Sequence, residues 1–427
     1  MYRIVLALLT VCGLALVGVL VVNLVQGGAA AQAGAEGTSG TSTECVPGWV
    51  AAWNASPLSA PAGAVGSRPG VSERSLRMLV RPSVAGSEVR LVLSNRYGND
   101  PLDLWSVSVA KAGSGAGLAD NPRPVTFDQL STGQVPPHGV LVSDPVPLGV
   151  VPSETLAVSM YLPGHPAVVS EHPWAMQTSY ISDPGDFAGS VDGGRFTHTI
   201  NSWLVLEGLD VHTAKAMNAV VMMGDSITDG MGSSPDADRR LTDDLAAKLT
   251  AMGGDKQMAV LNSGIAGNQL LADYPGQVGE SAFNRLSWEV AGRSGVTDVI
   301  LHAGTNDLAA GANSDAVVAG MVRFTERAHQ AGLRVFLTTI TPASTGRHSA
   351  PAVVAARSEV NQWIRAHGKE HADGVFDFAA AVTDVSNPNR LVYGFDAGDG
   401  VHLSDVGYRA LAGAVDLSAL SGSRCLA

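Results

Sequence analysis

The sequence predicts a protein in two parts: an all-β sandwich or jelly roll, then an α/β unit with a parallel sheet and helices on both faces. Two textures carry the prediction. From Trp49 to about Leu206 the apolar segments are short, alternate with polar residues and are separated by Gly, Pro, Asn and Asp, as antiparallel strands and their turns are. After about Lys215, apolar runs alternate with helix-length stretches, the pattern of a parallel sheet covered by helices. Length agrees: 427 residues with 45% hydrophobic and 15% charged side chains suit two or three cored domains and exclude a mainly disordered chain.

The expected divisions are residues 1–44, 45–214 and 215–427. In the first, the uncharged run Ile4–Val25 follows Arg3 and leads into small residues such as Ala29-Ala30-Ala31, which read as an export signal. The run also approaches the ~20 residues that cross a bilayer, so it would equally serve as a membrane tether. Gly, Thr and Ser then form a flexible linker before Val46. Both readings place the rest of the chain outside the cytoplasm. Cys12 lies in the apolar run, leaving Cys45 and Cys425 in an oxidising compartment, where a disulfide between them would close nearly the whole mature chain. Two free thiols are the alternative, because spacing does not supply the distance between them.

In the β-rich segment Leu76, Met78 and Val80 alternate with Arg77, Leu79 and Arg81, and Val89, Leu91 and Leu93 with Arg90, Val92 and Ser94. Each series supplies one inward face. Further strands are expected at Ser106–Ala110, Gly139–Val142, Thr155–Leu162 and Trp203–Leu206. In the second part strands are expected at Ala219–Met223, Met258–Leu261, Asp298–Leu301 and Arg334–Ile340, and helices at Leu241–Met252, Ser314–Ala331, Ala350–Glu370 and Asp405–Leu420. The second helix shows the stripe Val317, Met321, Phe324, Ala328, with Ser314 or Asp315 as cap and Gly332 as stop.

Composition narrows the chemistry. With 39 acidic and 27 basic side chains the formal net charge is −12, and no basic cluster offers itself to nucleic acid. Candidate groups collect instead at the carboxyl ends of the expected parallel strands, where such sheets place their sites. Gly224-Asp225-Ser226 follows the first strand, Asn262-Ser263-Gly264-Ile265-Ala266-Gly267-Asn268 the second, and Gly304-Thr305-Asn306-Asp307 the third; Asp399-Gly400-Val401-His402 precedes the last helix. A serine hydroxyl needs a base at neutral pH. Of eleven histidines, His402 has an acid three residues earlier in a glycine-rich loop, close enough to orient the imidazole. Thr228 stands where the second glycine of a Gly-x-Ser-x-Gly elbow would be.

In this order the four blocks resemble the SGNH hydrolases, also called GDSL esterases or lipases, over roughly Ala219 to Leu420. Ser226, Gly267, Asn306 and His402 match the residues that name the family. The β-rich segment, with Val89-Arg90-Leu91-Val92-Leu93-Ser94-Asn95-Arg96-Tyr97-Gly98, also looks like the first domain of two-domain secreted actinobacterial members. The resemblance implies a flavodoxin-like sheet and a metal-independent, cofactor-free serine esterase. It implies a Ser226, His402 and Asp399 triad, with the oxyanion held by the N–H groups of Ser226 and Gly267 and the Asn306 amide. Asp225, Asp229 and Asp307 are expected to brace the loops. The implied partner is an ester: short acyl groups on carbohydrate, or small or lipid esters. Acyl transfer to a sugar hydroxyl by the same triad, and a non-catalytic carbohydrate-binding surface protein, are the competing readings; oligomeric state is not addressed.

Two features compete for attention. His367-Gly368-Lys369-Glu370-His371 has the inverted zincin spacing, but its central glycine, polar helix end and lack of a third ligand point to solvated residues rather than zinc. Trp49, Trp53, Trp105, Trp174 and Trp203 fall in the β-rich segment, where packing is favoured over a sugar-stacking platform.

Overall fold

The computed structural model describes residues 45–274 and 277–427; the leader, tether and linker expected over residues 1–44 lie outside the described residues. The first half is antiparallel. A seven-stranded sheet is built around Arg74–Val80, Leu156–Leu162 and Leu102–Lys111, and a five-stranded sheet around Gly86–Ser94 and Leu206–Thr213. A three-stranded sheet joins Leu58–Pro61, Val168–Pro173 and Ser202–Leu204.

The expected alternation sends Leu76, Met78, Val80, Val89, Leu91 and Leu93 into one shared core. The opposite face of the first strand is buried as well: Arg77 is fully buried, with its guanidinium 4.0 Å from the Phe196 ring centroid and hydrogen-bonded to Ser159 Oγ and the Ser190 and Ala116 carbonyls. Burial lowers its pKa to about 10, so the charge persists inside. The expected strand Trp203–Leu206 is divided, because Val205 takes a φ of +65° and its two sides join different sheets. Trp53 and Trp203 pack edge to face at 5.0 Å, and Trp203 Nε1 donates to the Leu79 carbonyl. Trp105 and Trp174 depart from the packing expectation, at 49% and 53% exposed.

The second half is a five-stranded parallel sheet in the spatial order Ala259–Gly264, Ala219–Gly224, Val296–His302, Arg334–Thr338, Gly374–Phe376. Its interior strand Ala219–Gly224 is buried throughout, as expected of a parallel strand covered on both faces. Val221 and Met223 face the helices Ser314–Gln330 and Pro351–His371 through Val317, Met321, Phe324, Val360 and Ile364. Val220 and Met222 face Leu241–Met252 and Asp405–Ala414 through Leu245, Leu249, Tyr408 and Leu411. The cap expected at Ser314 or Asp315 falls at Asn313 instead: Asn313 Oδ1 accepts the Ala316 N–H at 2.8 Å, while Ser314 turns to Glu359. The last helix stops at Ala414 rather than Leu420, since Asp416 accepts both the N–H and O–H of Ser418 and stabilises a turn. The sequence reading also omitted the strand Gly374–Phe376 and the helical segment Ala282–Ala291, both short.

The outer edge of the parallel sheet meets the β-rich half. Ser83 Oγ accepts the Val260 N–H, Asn54 Oδ1 accepts the Asn262 N–H, and Asn54 Nδ2 donates to Ser263 Oγ. Side chains thus occupy donors that an edge strand otherwise leaves open. Residues Cys45–Ala427 group as one unit, and Cys45 and Cys425 are disulfide-bonded with Cα atoms 5.2 Å apart across 380 positions. Because so long a closed loop removes much unfolded-state freedom, replacing both with serine is expected to lower the unfolding free energy by about 3–5 kcal/mol. Denaturant titration with and without reductant checks this; mapping of non-reduced peptides must recover the Cys45–Cys425 pair.

Candidate active site

Three strand ends and one loop meet at the carboxyl edge of the parallel sheet. The strand Ala219–Gly224 stops at Gly224, where a Cβ would lie 2.1 Å from the His302 carbonyl oxygen, so only glycine passes. Asp225 then caps a single helical turn, Ser226–Asp229, by accepting the Ile227 N–H at 3.0 Å. Its other carboxylate oxygen is buried without a hydrogen-bond partner among the described residues. Burial pushes the Asp225 carboxyl up to about 7, reinforced by Asp307 and Asp229, against the pull of the Ile227 N–H.

Ser226 is 8% exposed, and its Oγ lies 2.9 Å from His402 Nε2. His402 Nδ1 lies 2.6 Å from Asp399 Oδ2, and Asp399 Oδ1 accepts the N–H groups of Val401 and His402. Burial works against the Asp399 charge, but the His402 hydrogen bonds and the Val401 N–H outweigh it and hold the carboxyl below the usual range. An ionised Asp399 requires the proton on Nδ1, which leaves the Nε2 lone pair for the Ser226 hydroxyl. Serine, histidine and aspartate, predicted from sequence, are therefore in one hydrogen-bonded line.

Gly267 adopts φ +77° in the turn after the second strand. Asn306 lies in the first turn of the helix Thr305–Ala309; its Nδ2 donates to the Asn268 carbonyl at 2.9 Å and its Oδ1 lies 3.3 Å from His348 Nε2. Those contacts orient the amide and leave its second N–H for another acceptor. Asp229 Oδ2 accepts the Ala266 N–H at 3.1 Å, and Asp307 accepts the N–H groups of Leu270 and Leu271, both at 2.9 Å. Asp229 and Asp307 brace the loop that carries Gly267 on either side of it. Burial pushes the Asp307 carboxyl up, partly offset by its two N–H donors.

Three contributors escaped the sequence reading. Arg285 is fully buried beneath these loops: it donates to Asn268 Oδ1, the Ser263 and Glu280 carbonyls and Ser56 Oγ, and pairs with buried Glu289. In sequence, Arg285 and Glu289 at i,i+4 look like a solvated helix pair. His172, on the Val168–Pro173 strand, reaches Asp229, and His348 reaches Asn306; nothing local in the sequence marks either. The zincin-like segment is placed elsewhere, with His371 stacked on Trp363 at 5.4 Å and His367 beside Glu370.

Two measurements test the supports. Truncating Arg285 to Met strands a buried carboxylate, and a loss of about 3–5 kcal/mol is expected, recovered in part by adding Glu289→Leu. Equal stability of Arg285→Met and wild type in denaturant titration contradicts the role. For Asp225 the folded-state pKa of about 7 lies above the reference 3.8, so the folded state holds the proton more tightly and stability falls as pH rises from about 4 to about 7. Asp225→Asn keeps an acceptor for the Ile227 N–H and should flatten that decline; thermal unfolding of both proteins across the interval reads it.

Residues 222–410 match the GDSL-like lipase/acylhydrolase family. No curated protein matches the chain. Among solved structures, an aryl esterase from M. smegmatis is 19% identical with a TM-score of 0.38, over 46% of this chain and 95% of that one. A carbohydrate acetylesterase from Sinorhizobium meliloti is 19% identical with a TM-score of 0.37, over 46% and 94%. A GDSL-like lipase from Bacteroides thetaiotaomicron is 20% identical with a TM-score of 0.37, over 47% and 87%. The match takes in most of the parallel sheet and all four sequence blocks, so residues 222–410 form a GDSL-like lipase/acylhydrolase domain, which supports an ester hydrolase of the SGNH type.

Proposed function

We propose that the ester is cleaved through an acyl-enzyme on Ser226, with His402 as base and then acid and Asp399 as its orienting carboxylate. The Ser226–His402–Asp399 hydrogen-bond line carries this reading. Ser226 Oγ attacks the ester carbonyl while its proton passes to His402 Nε2. The tetrahedral oxyanion is met by the N–H groups of Ser226 and Gly267 and the second N–H of Asn306 Nδ2. Collapse breaks the ester C–O bond, and the departing alkoxide takes the proton from His402. Water then repeats the cycle on the acyl group, giving up its proton to His402 and releasing the carboxylic acid and Ser226. Neutral donors suit the oxyanion because they need no reorganisation as charge develops.

The acyl group is short and the alcohol side large or polar, as on an acylated carbohydrate. In support, the line of groups opens to solvent: the His402 side chain is 18% exposed and that of Asp399 53%, whereas a long acyl chain needs extended apolar burial. The setting is extracytoplasmic, whether the leader is cleaved or kept as a tether; the Cys45–Cys425 disulfide favours an oxidising compartment.

A fluorophosphonate probe should label wild type and not Ser226→Ala; persistent labelling in that variant removes the nucleophile. With ester substrates, His402→Ala should lower kcat by about 10⁴-fold and Asn306→Ala by about 10²–10³-fold. Across p-nitrophenyl esters kcat/KM should peak at two to four acyl carbons, and acetylated glycans should release acetate. A maximum at eight carbons or more assigns lipid esters instead.

A further inference from the structure

Among the groups outside the Ser226 line, His172 has contacts that lead back to it through the helical turn that Ser226 begins. Its strand, Val168–Pro173, belongs to the β-rich half, and its ring is 4% exposed and tilted against Trp203 at 5.4 Å. Nδ1 lies 2.8 Å from the Ser56 carbonyl oxygen and Nε2 3.1 Å from Asp229 Oδ1. A carbonyl only accepts, so Nδ1 carries a proton. The second ring nitrogen, Nε2, is bonded to Asp229, so both ring nitrogens are engaged. Burial opposes a charge on the ring, but Asp229 and the Ser56 carbonyl together hold the His172 pKa above its ordinary value.

Asp229 is anchored at both oxygens. Oδ1 faces His172, Oδ2 accepts the Ala266 N–H at 3.1 Å, and the next peptide unit belongs to Gly267. Asp229 is also the last residue of the one-turn helix that begins with Ser226. One carboxylate thus sets the Ala266–Gly267 backbone against the nucleophile turn, and His172 sets the carboxylate. The second support converges on the same residue: Ser56, whose carbonyl takes His172 Nδ1–H, accepts Arg285 through its hydroxyl.

We propose that His172 is a positioning residue for ester hydrolysis: through Asp229 it fixes the Ala266–Gly267 backbone, so that the β-rich half holds the oxyanion loop in register with Ser226. The inference rests on the Ser226 acyl-enzyme reading and adds a role for the β-rich half. It touches no substrate, so its effect belongs in turnover rather than in ground-state binding. A misplacement of about 1 Å in such a site costs on the order of 10²-fold.

Two substitutions separate the bonds of His172. Gln reaches the position of Nε2 and keeps a donor for Asp229, whereas Asn reaches only the position of Nδ1 and keeps the Ser56 contact. With a p-nitrophenyl ester, His172→Asn should lower kcat by about 10–100-fold with KM within twofold, and His172→Gln should stay within about threefold of wild type. A purely structural role predicts similar thermal midpoints lost in both and kcat unchanged. Wild-type kcat in folded His172→Asn, equal losses in the two variants, or a loss confined to KM overturns the proposal. Should neither fold, Asp229→Asn, which turns one anchored oxygen into a donor, must show the same fall in kcat; wild-type turnover there overturns it as well. Fluorophosphonate labelling run in parallel distinguishes the failures: loss of Ser226 as the labelled residue in wild type sinks the acyl-enzyme reading, whereas intact Ser226 labelling with unaffected kcat in His172→Asn sinks only this inference.

Discussion

The guanidinium of Arg285 is the interaction on which the site depends most broadly. It lies under the carboxyl edge of the parallel sheet and holds, from one planar fork, the end of the second strand at Ser263, the loop at Asn268 and Glu280, and Ser56 of the β-rich half. A buried cation costs several kcal/mol unless its donors are taken up, so these partners are held in the only arrangement that satisfies it. Asn268 then matters twice: its side chain accepts from Arg285 and its backbone carbonyl accepts from Asn306. The orientation of the Asn306 amide is thereby tied to a charge that never meets the substrate.

Around that cation the carboxylates divide by exposure. Asp399 lies in an open loop and takes two backbone N–H donors and the His402 ring, which hold its carboxyl below the usual range. Asp225 and Asp307 are buried behind the nucleophile and are pushed the other way by desolvation. Asp229, in the same interior, is matched to His172 and the Ala266 N–H. Residues of one chemical type are thus an orienting anion, a helix cap and two loop anchors. Which one each becomes follows from its donors and its solvent access rather than from its position in a motif.

The two halves of the chain are joined by polar contacts at a place where polar contacts are required. The outermost parallel strand, Ala259–Gly264, would otherwise expose N–H groups along its edge, and Ser83 and Asn54 take them up. The same strand leads straight into Ile265, Ala266 and Gly267. Covering the edge of the sheet therefore also fixes the start of the loop that carries Gly267, with Arg285 and Asp229 fixing its remainder.

Hydrophobic periodicity determined the interior strand Ala219–Gly224, the helices on its two faces and the placing of motifs at strand ends, because a strand buried on both sides and an amphipathic helix leave repeating patterns in the chain. The spacing Asp399-Gly400-Val401-His402 likewise made the acid–base pair legible, since both residues sit in one loop. Short elements such as Gly374–Phe376 were not legible, and the last helix was drawn too long, because local side-chain bonds at Asp416 end it without a glycine or proline. The supports were beyond sequence for a different reason. Arg285 and Glu289 have the spacing of a surface pair but are buried in the tertiary structure, where Ser56 of the β-rich half and Ser263 and Asn268 after the second strand meet the guanidinium. His172 and Asp229 are 57 positions apart, and a bond between them exists only where the strand Val168–Pro173 of the β-rich half meets the one-turn helix Ser226–Asp229. The reacting groups were written in local spacing, while what holds them in place was decided by packing between distant segments.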